Sequence, residues 1–199
     1  MRKAVNHLSK SDPILRAIIG RVGPCRMEYG PPEFHSLAES IVYQQLNGRA
    51  AETIFDRFTA LAGDPVTPAG ILKLSELQMR SVGLSKQKSS YLRDMAERAV
   101  RGDLDFGKLH QLSDDEVISH LTQVKGVGTW TAQMFLMFTL KRPNVLPTGD
   151  LGVQMAIKKH YNKRKLPKPL QMEKIARAWE PYRSVACWYL WRSLDLKEK

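Results

Sequence analysis

Gly126 and Gly128 sit one residue apart in Leu121-Thr-Gln-Val-Lys-Gly-Val-Gly-Thr-Trp-Thr-Ala, and an acid, Asp150, follows in Leu146-Pro-Thr-Gly-Asp-Leu-Gly-Val. Glycines at this spacing permit a tight turn and let backbone come close to a ligand. A helix opening at Thr129 would present unpaired amides and the positive end of its dipole just beyond them, which suits a phosphate oxygen. A nucleic-acid backbone is the natural ligand, with Lys125 and Thr129 beside the two glycines as contacts. The bland alternatives are that the glycines join two helices for geometric reasons and that Asp150 only caps the helix carrying Val153 and Ile157.

The surrounding elements are helices. Ser113-Asp-Asp-Glu is a capping box that starts a helix through Val117, Ile118 and Leu121, and Thr129 to Leu140 reads as its partner. Upstream, the pattern predicts a short helix opening at Ser11-Asp-Pro, then helices from Phe34 to Leu46, Ala50 to Leu61 and Ser85 to Val100. Thr67-Pro68 and a Ser75 capping box start two shorter ones, and Asn47 caps the helix after it. Downstream, helices are expected from Leu151 to Tyr161, Leu170 to Trp179 and Pro181 to Leu194. The stretch from Leu77 through Gly83 to Lys88 faintly echoes the later glycine turn. An all-α fold follows.

Composition narrows the partners independently. With 199 residues, 43% of them hydrophobic, the chain can bury a sizeable core, and a net charge of +11 favours an acidic polymer. No apolar run approaches a membrane span and no signal peptide opens the chain, so a soluble intracellular protein is expected. The two cysteines, Cys25 and Cys187, lie far apart without ligand-spaced histidines, which argues against zinc, and two are too few for a four-cysteine iron–sulfur cluster. The basic stretch from His160 to Pro169 is read as a solvated face, with direct phosphate contact as the alternative, and the histidines are assigned no chemistry.

Val124-Lys-Gly-Val-Gly-Thr-Trp-Thr-Ala followed by Pro147-Thr-Gly-Asp-Leu resembles the signature of the helix-hairpin-helix DNA glycosylase superfamily: hairpin, Gly/Pro-rich loop, aspartate. Within it the chain is most similar to the 3-methyladenine DNA glycosylase II, or alkylbase glycosylase, branch. Ile41-Val-Tyr-Gln-Gln-Leu-Asn-Gly-Arg-Ala-Ala, Val82-Gly-Leu-Ser-Lys-Gln-Lys-Ser-Ser-Tyr-Leu and Trp179-Glu-Pro-Tyr-Arg-Ser-Val-Ala-Cys-Trp-Tyr-Leu-Trp carry the likeness from about Phe34 to Trp191. The resemblance implies two helical lobes with a catalytic cleft between them: residues 34–143 as a central lobe ending in the hairpin, and 1–33 with 144–199 as a second lobe carrying the acid. The N-terminal β-rich domain of larger bacterial members is not expected.

The resemblance also implies roles. Asp150 becomes the catalytic carboxylate, stabilising positive charge on the sugar or positioning water as an N-glycosidic bond breaks. Trp130, Trp191 and Met134 line a pocket for a flipped base, whose cationic alkylated form an aromatic face would attract, while Trp179 and Trp188 are read as core. Gln45, with Gln44 beside it, wedges into the gap left in the stack. Lys125, Gly126, Gly128 and Thr129 grip backbone phosphate, and the carbonyls of Thr122, Val124 and Val127 can hold a structural Na+ or K+. Bifunctional relatives place a nucleophilic lysine where this chain has Trp130, so hydrolysis by water is implied, with no cofactor required.

The expected protein is therefore a monomeric, monofunctional DNA glycosylase that removes alkylated purines of the 3-methyladenine type from double-stranded DNA. It would act in the nucleoid of a prokaryote or the nucleus of a eukaryote. Two alternatives remain open: a catalytically silent helix-hairpin-helix DNA-binding protein, and a glycosylase for deaminated or oxidised bases.

Overall fold

A computed structural model of the protein describes residues 1–30 and 33–196. These residues form helices and no strand, and the chain divides into two compact units, Gly30–Leu140 and Met1–Tyr29 with Lys141–Lys199.

The second of these units begins with two helices, α1 (Arg2–Ser11) and α2 (Pro13–Val22). The sequence pattern does not reveal α1, whose buried stripe is only Ala4 and Leu8 amid polar residues. Between them Asp12 caps α2 by accepting from the amides of Ile14 and Leu15.

The Gly30–Leu140 unit follows with α3 (Phe34–Tyr43), α4 (Gly48–Ala62), α5 (Pro68–Leu72), α6 (Glu76–Ser81), α7 (Lys86–Arg101), α8 (Asp114–Leu121) and α9 (Thr129–Phe138). Local capping starts most of these helices. Asn47 caps α4, Thr67 caps α5 and Ser85 caps α7, while Ser75 and Ser113 make full capping boxes with Gln78 and Glu116. The first helix is shorter than its periodicity predicts. It ends at Tyr43, with Gln44 at ψ 132 and Gln45 at φ +57, so both glutamines lie in a loop rather than on a helix. The core is built from Leu37, Ile41, Phe58, Leu92, Met95, Leu121, Phe135 and Leu136, all at most 2% exposed. The echo within this unit is real in one respect. Both junctions pass through a glycine at positive φ, Gly83 at +103° and Gly126 at +78°.

The chain then completes the unit that opened with α1 and α2, adding α10 (Leu151–His160), α11 (Pro169–Ala176) and α12 (Arg183–Leu194). The predicted helix from Leu170 to Trp179 breaks into α11 and a tight 3-10 turn over Arg177–Trp179, and the predicted start at Pro181 slips to Arg183. Buried residues occur on all sides of α12, including Val185, Ala186, Cys187, Tyr189 and Leu190, as expected for a helix packed against α2 and α10. Trp179 is fully buried and donates its indole N–H to Asp12, which also accepts from the Tyr161 hydroxyl. Trp188 is only half-buried.

Candidate active site and nucleic-acid interface

In the Gly30–Leu140 unit, α8 and α9 form a helical hairpin around Gly126. An added Cβ at Gly126 would lie 2.1 Å from the Tyr91 ring, so this position needs glycine both for its conformation and for its contact. Gly128 differs. Its φ is −92° and nothing lies within 4 Å of an added Cβ. As the N-cap of α9 it has no side chain with which to cap the helix, and a helix N-terminus opened by glycine suits an outside anionic acceptor.

Asp94 of α7 braces the hairpin from below. Its Oδ2 accepts from the Lys125 amide and the Arg98 guanidinium, both at 3.0 Å, and the Lys125 ammonium lies 3.7 Å from Oδ1. Burial opposes ionisation of Asp94, but the bonds from Lys125 and Arg98 outweigh it and hold the carboxyl below its ordinary range. Lys125 is thus tied to Asp94 through its backbone and its ammonium.

Beside the hairpin lies a cavity of about 550 Å³ lined by Ser40, Tyr43, Gln44, Gln45, Leu46, Trp130, Thr131 and Met134. The four residues Gln44, Gln45, Trp130 and Met134, drawn from two distant stretches of sequence, meet here because α3 ends where α9 begins. The Gln44 amide donates to the Gly126 carbonyl at 2.9 Å and to the Thr131 hydroxyl at 3.4 Å, fastening the end of α3 to the hairpin. No charged side chain lines the cavity, and Trp130 is 47% exposed. Burial, with Glu39, Glu52 and Asp56 adding to it, pushes the Tyr43 phenol up, which keeps it a hydrogen-bond donor.

Asp150 and Trp191 belong to the other unit and meet there. Asp150 is 7% exposed and caps α10, its Oδ1 accepting from the Val153 amide at 2.7 Å and from the Trp191 indole N–H at 2.8 Å. Gln154 adds a bond from its amide to the Thr148 carbonyl, tying down the loop that delivers the acid. Trp191 can approach because residue 152 is glycine. A Cβ there would stand 2.8 Å from the indole Cδ1. Trp191 is therefore a partner of the carboxylate, in a different unit from Trp130.

Residues 38–181 match the HhH-GPD superfamily of base excision DNA repair proteins. The chain belongs to that superfamily. Its likeness to the 3-methyladenine branch is direct. It is 33% identical to DNA-3-methyladenine glycosylase 1 of Schizosaccharomyces pombe over the whole of this chain and 90% of that protein. Among solved structures, the 3-methyladenine DNA glycosylase of that yeast in complex with abasic DNA superposes with a TM-score of 0.85 at 32% identity, covering 98% of this chain and 97% of that one. A DNA-3-methyladenine glycosidase from Bacillus halodurans gives a TM-score of 0.84 at 37% identity, covering 94% and 87%.

Several residues of this superfamily member escape a reading of the sequence. Tyr91 and Asp94 meet the hairpin from far upstream, and no local pattern announces such contacts. Gly152 carries a faint signal, since glycine is a poor helix former and one in the first turn of α10 invites a packing reason. No group of three or more His, Cys, Asp or Glu is placed to hold a metal among the described residues, and no helix among them is long and apolar enough to cross a membrane.

Proposed function

We propose that the protein is a monofunctional DNA glycosylase that takes alkylated purines of the 3-methyladenine type out of duplex DNA. The observation that carries this reading is the buried carboxylate of Asp150, fixed by Val153 and Trp191, in a chain that also bears the superfamily's hairpin. A cap alone has no need of an indole donor on the same oxygen.

The reaction follows from these groups. The N-terminus of α9, with Lys125 nearby, holds backbone phosphate and draws the duplex against the hairpin. The damaged nucleotide swings out and the loop at Gln44 and Gln45 fills its place. Trp130 and Met134 take the base, whose positive charge is attracted to the exposed indole face in a cavity without competing charge. The bond between the sugar C1′ and the base nitrogen breaks with its electron pair going to the base. The cationic alkylated base is already a good leaving group. Asp150 stabilises the positive charge left on the sugar, and water adds to C1′ and gives up a proton. The product is an abasic site in an uncut strand.

The end of α8 has the chemistry for a monovalent cation. In the turn that follows it, the Val124 carbonyl accepts one bond, from Val127, with a second lone pair remaining. Thr122, Val124 and Val127 would hold Na+ or K+, which would lower the negative charge of an approaching phosphate. Such an enzyme works wherever the genome is, in a nucleoid or a nucleus.

The decisive experiment is release of free base from methylated DNA, run beside duplexes containing hypoxanthine and ethenoadenine. Release of 3-methyladenine with strands left intact until alkali is added, and no borohydride-trapped adduct, is expected. A trapped adduct would overturn the monofunctional assignment, and release of hypoxanthine alone would reassign the substrate. A second prediction concerns Gly152→Ala. The added methyl must displace Trp191 from Asp150, so single-turnover excision should slow by roughly ten- to a hundredfold, and Trp191→Phe, which removes the donor, should slow it similarly. Wild-type rates in both would remove Trp191 from the catalytic arrangement.

A further inference from the structure

Lys88 occupies the third position of α7, where a cation faces the positive end of its own helix and is electrostatically misplaced. Its ammonium is instead spent on another helix. Nζ donates to the carbonyls of Val42 at 2.6 Å and Gln44 at 2.7 Å, where α3 runs out of amide partners. The last turn of α3 has no basic residue of its own, so this charge comes from 44 residues away. Burial lowers the affinity of Lys88 for its proton, a cost tolerated at a residue that an exposed surface would have left solvated.

Gln44 is thereby held from two sides, its carbonyl by Lys88 and its side-chain amide by the Gly126 carbonyl of the hairpin. Immediately after this doubly anchored residue comes Gln45 in the left-handed region, a conformation that a residue other than glycine keeps only when its surroundings impose it. An isolated helix cap would not require the second anchor or the strained residue that follows. Together they make a short loop whose backbone is set before DNA arrives.

Resting on the glycosylase reading above, we propose that Lys88 is a positioning residue for the Gln44–Gln45 wedge. It fixes the loop so that a base can be drawn out of a paired duplex, and it does not act on the glycosidic bond. An unfixed loop would have to be ordered during insertion, and that ordering slows extrusion of the base.

The test separates extrusion from bond cleavage. Single-turnover excision by Lys88→Met is compared on one alkylated lesion placed either opposite a normal partner base or in a single-nucleotide bulge, where little pairing has to be broken. Excision of the paired lesion should fall about tenfold or more, and that of the bulged lesion by no more than about threefold. In a Gln45→Ala background, the Lys88 substitution should add little to the loss on the paired lesion, since both act through one loop. Equal losses on the two substrates, or losses that multiply in the double variant, would reduce Lys88 to a stabilising cap and overturn the proposal. Lys88→Arg, which keeps the charge but not the point geometry, takes the place of Lys88→Met if that variant does not fold. If the wild-type protein releases no alkylated purine, the functional reading itself fails. If it does and the two substrates suffer alike, only the role of Lys88 fails.

Discussion

Asp150→Asn should abolish base excision, by on the order of a hundred- to a thousandfold or more, while leaving the fold and the grip on DNA nearly unchanged. Asparagine caps helices as well as aspartate does, and its carbonyl oxygen can still accept from Val153 and the Trp191 indole. Only the negative charge is lost, and that charge matters where the sugar becomes positive. In the proposed function, binding to duplex DNA would depend on the start of α9 and on lysines, none of which the substitution touches. Base release measured under single turnover, fluorescence anisotropy on a labelled duplex and a thermal melt together give the three readings. Near wild-type release would send the chemistry to another residue, and a large drop in melting temperature would mean that the cap, rather than the reaction, had been measured.

The next largest effect is expected at Gly126, with Gly128 as its control. Gly126→Ala forces an L-residue to φ +78 and drives a methyl into the Tyr91 ring, which cannot retreat as the end of a flexible chain would. Strain and overpacking together should cost about 2–4 kcal/mol, lowering the melting midpoint by roughly 5 to 15 °C and loosening the hairpin from Gln44. Gly128→Ala meets no atom and no backbone strain, so stability should change by less than about 1 kcal/mol. On the proposed grip it places a methyl where phosphate would approach the start of α9, and duplex affinity should fall. The measurement is a pair of melts and a pair of binding isotherms. Equal behaviour of the two variants in both would show that the turn is a spacer with no contact to DNA.

These two glycines show where local sequence is sufficient. Gly-x-Gly predicts a turn correctly, yet only the structure distinguishes the glycine demanded by packing from the one left open, because the difference lies in Tyr91, well upstream in the chain. The caps were legible for the opposite reason. Ser75, Ser85, Ser113, Asn47 and Asp150 each satisfy amides within three residues, so their meaning is complete inside a short window. Helix α1 is not legible, since two buried residues in ten leave no stripe to read, and the apolar pattern of α3 predicts too long a helix because it runs on after the hydrogen bonds stop.

Helical class, most helix starts, the hairpin and the superfamily were therefore determined by sequence alone, through capping chemistry, periodicity and motif spacing that all act over short distances. Tertiary structure decided which groups those elements bring together. Lys88 reaches the end of α3, Asp94 reaches the hairpin, Trp191 reaches Asp150 and Gly152 makes room for it. Each of these contacts depends on how helices pack, which is set by the summed burial of many side chains, and a linear pattern carries no record of that sum.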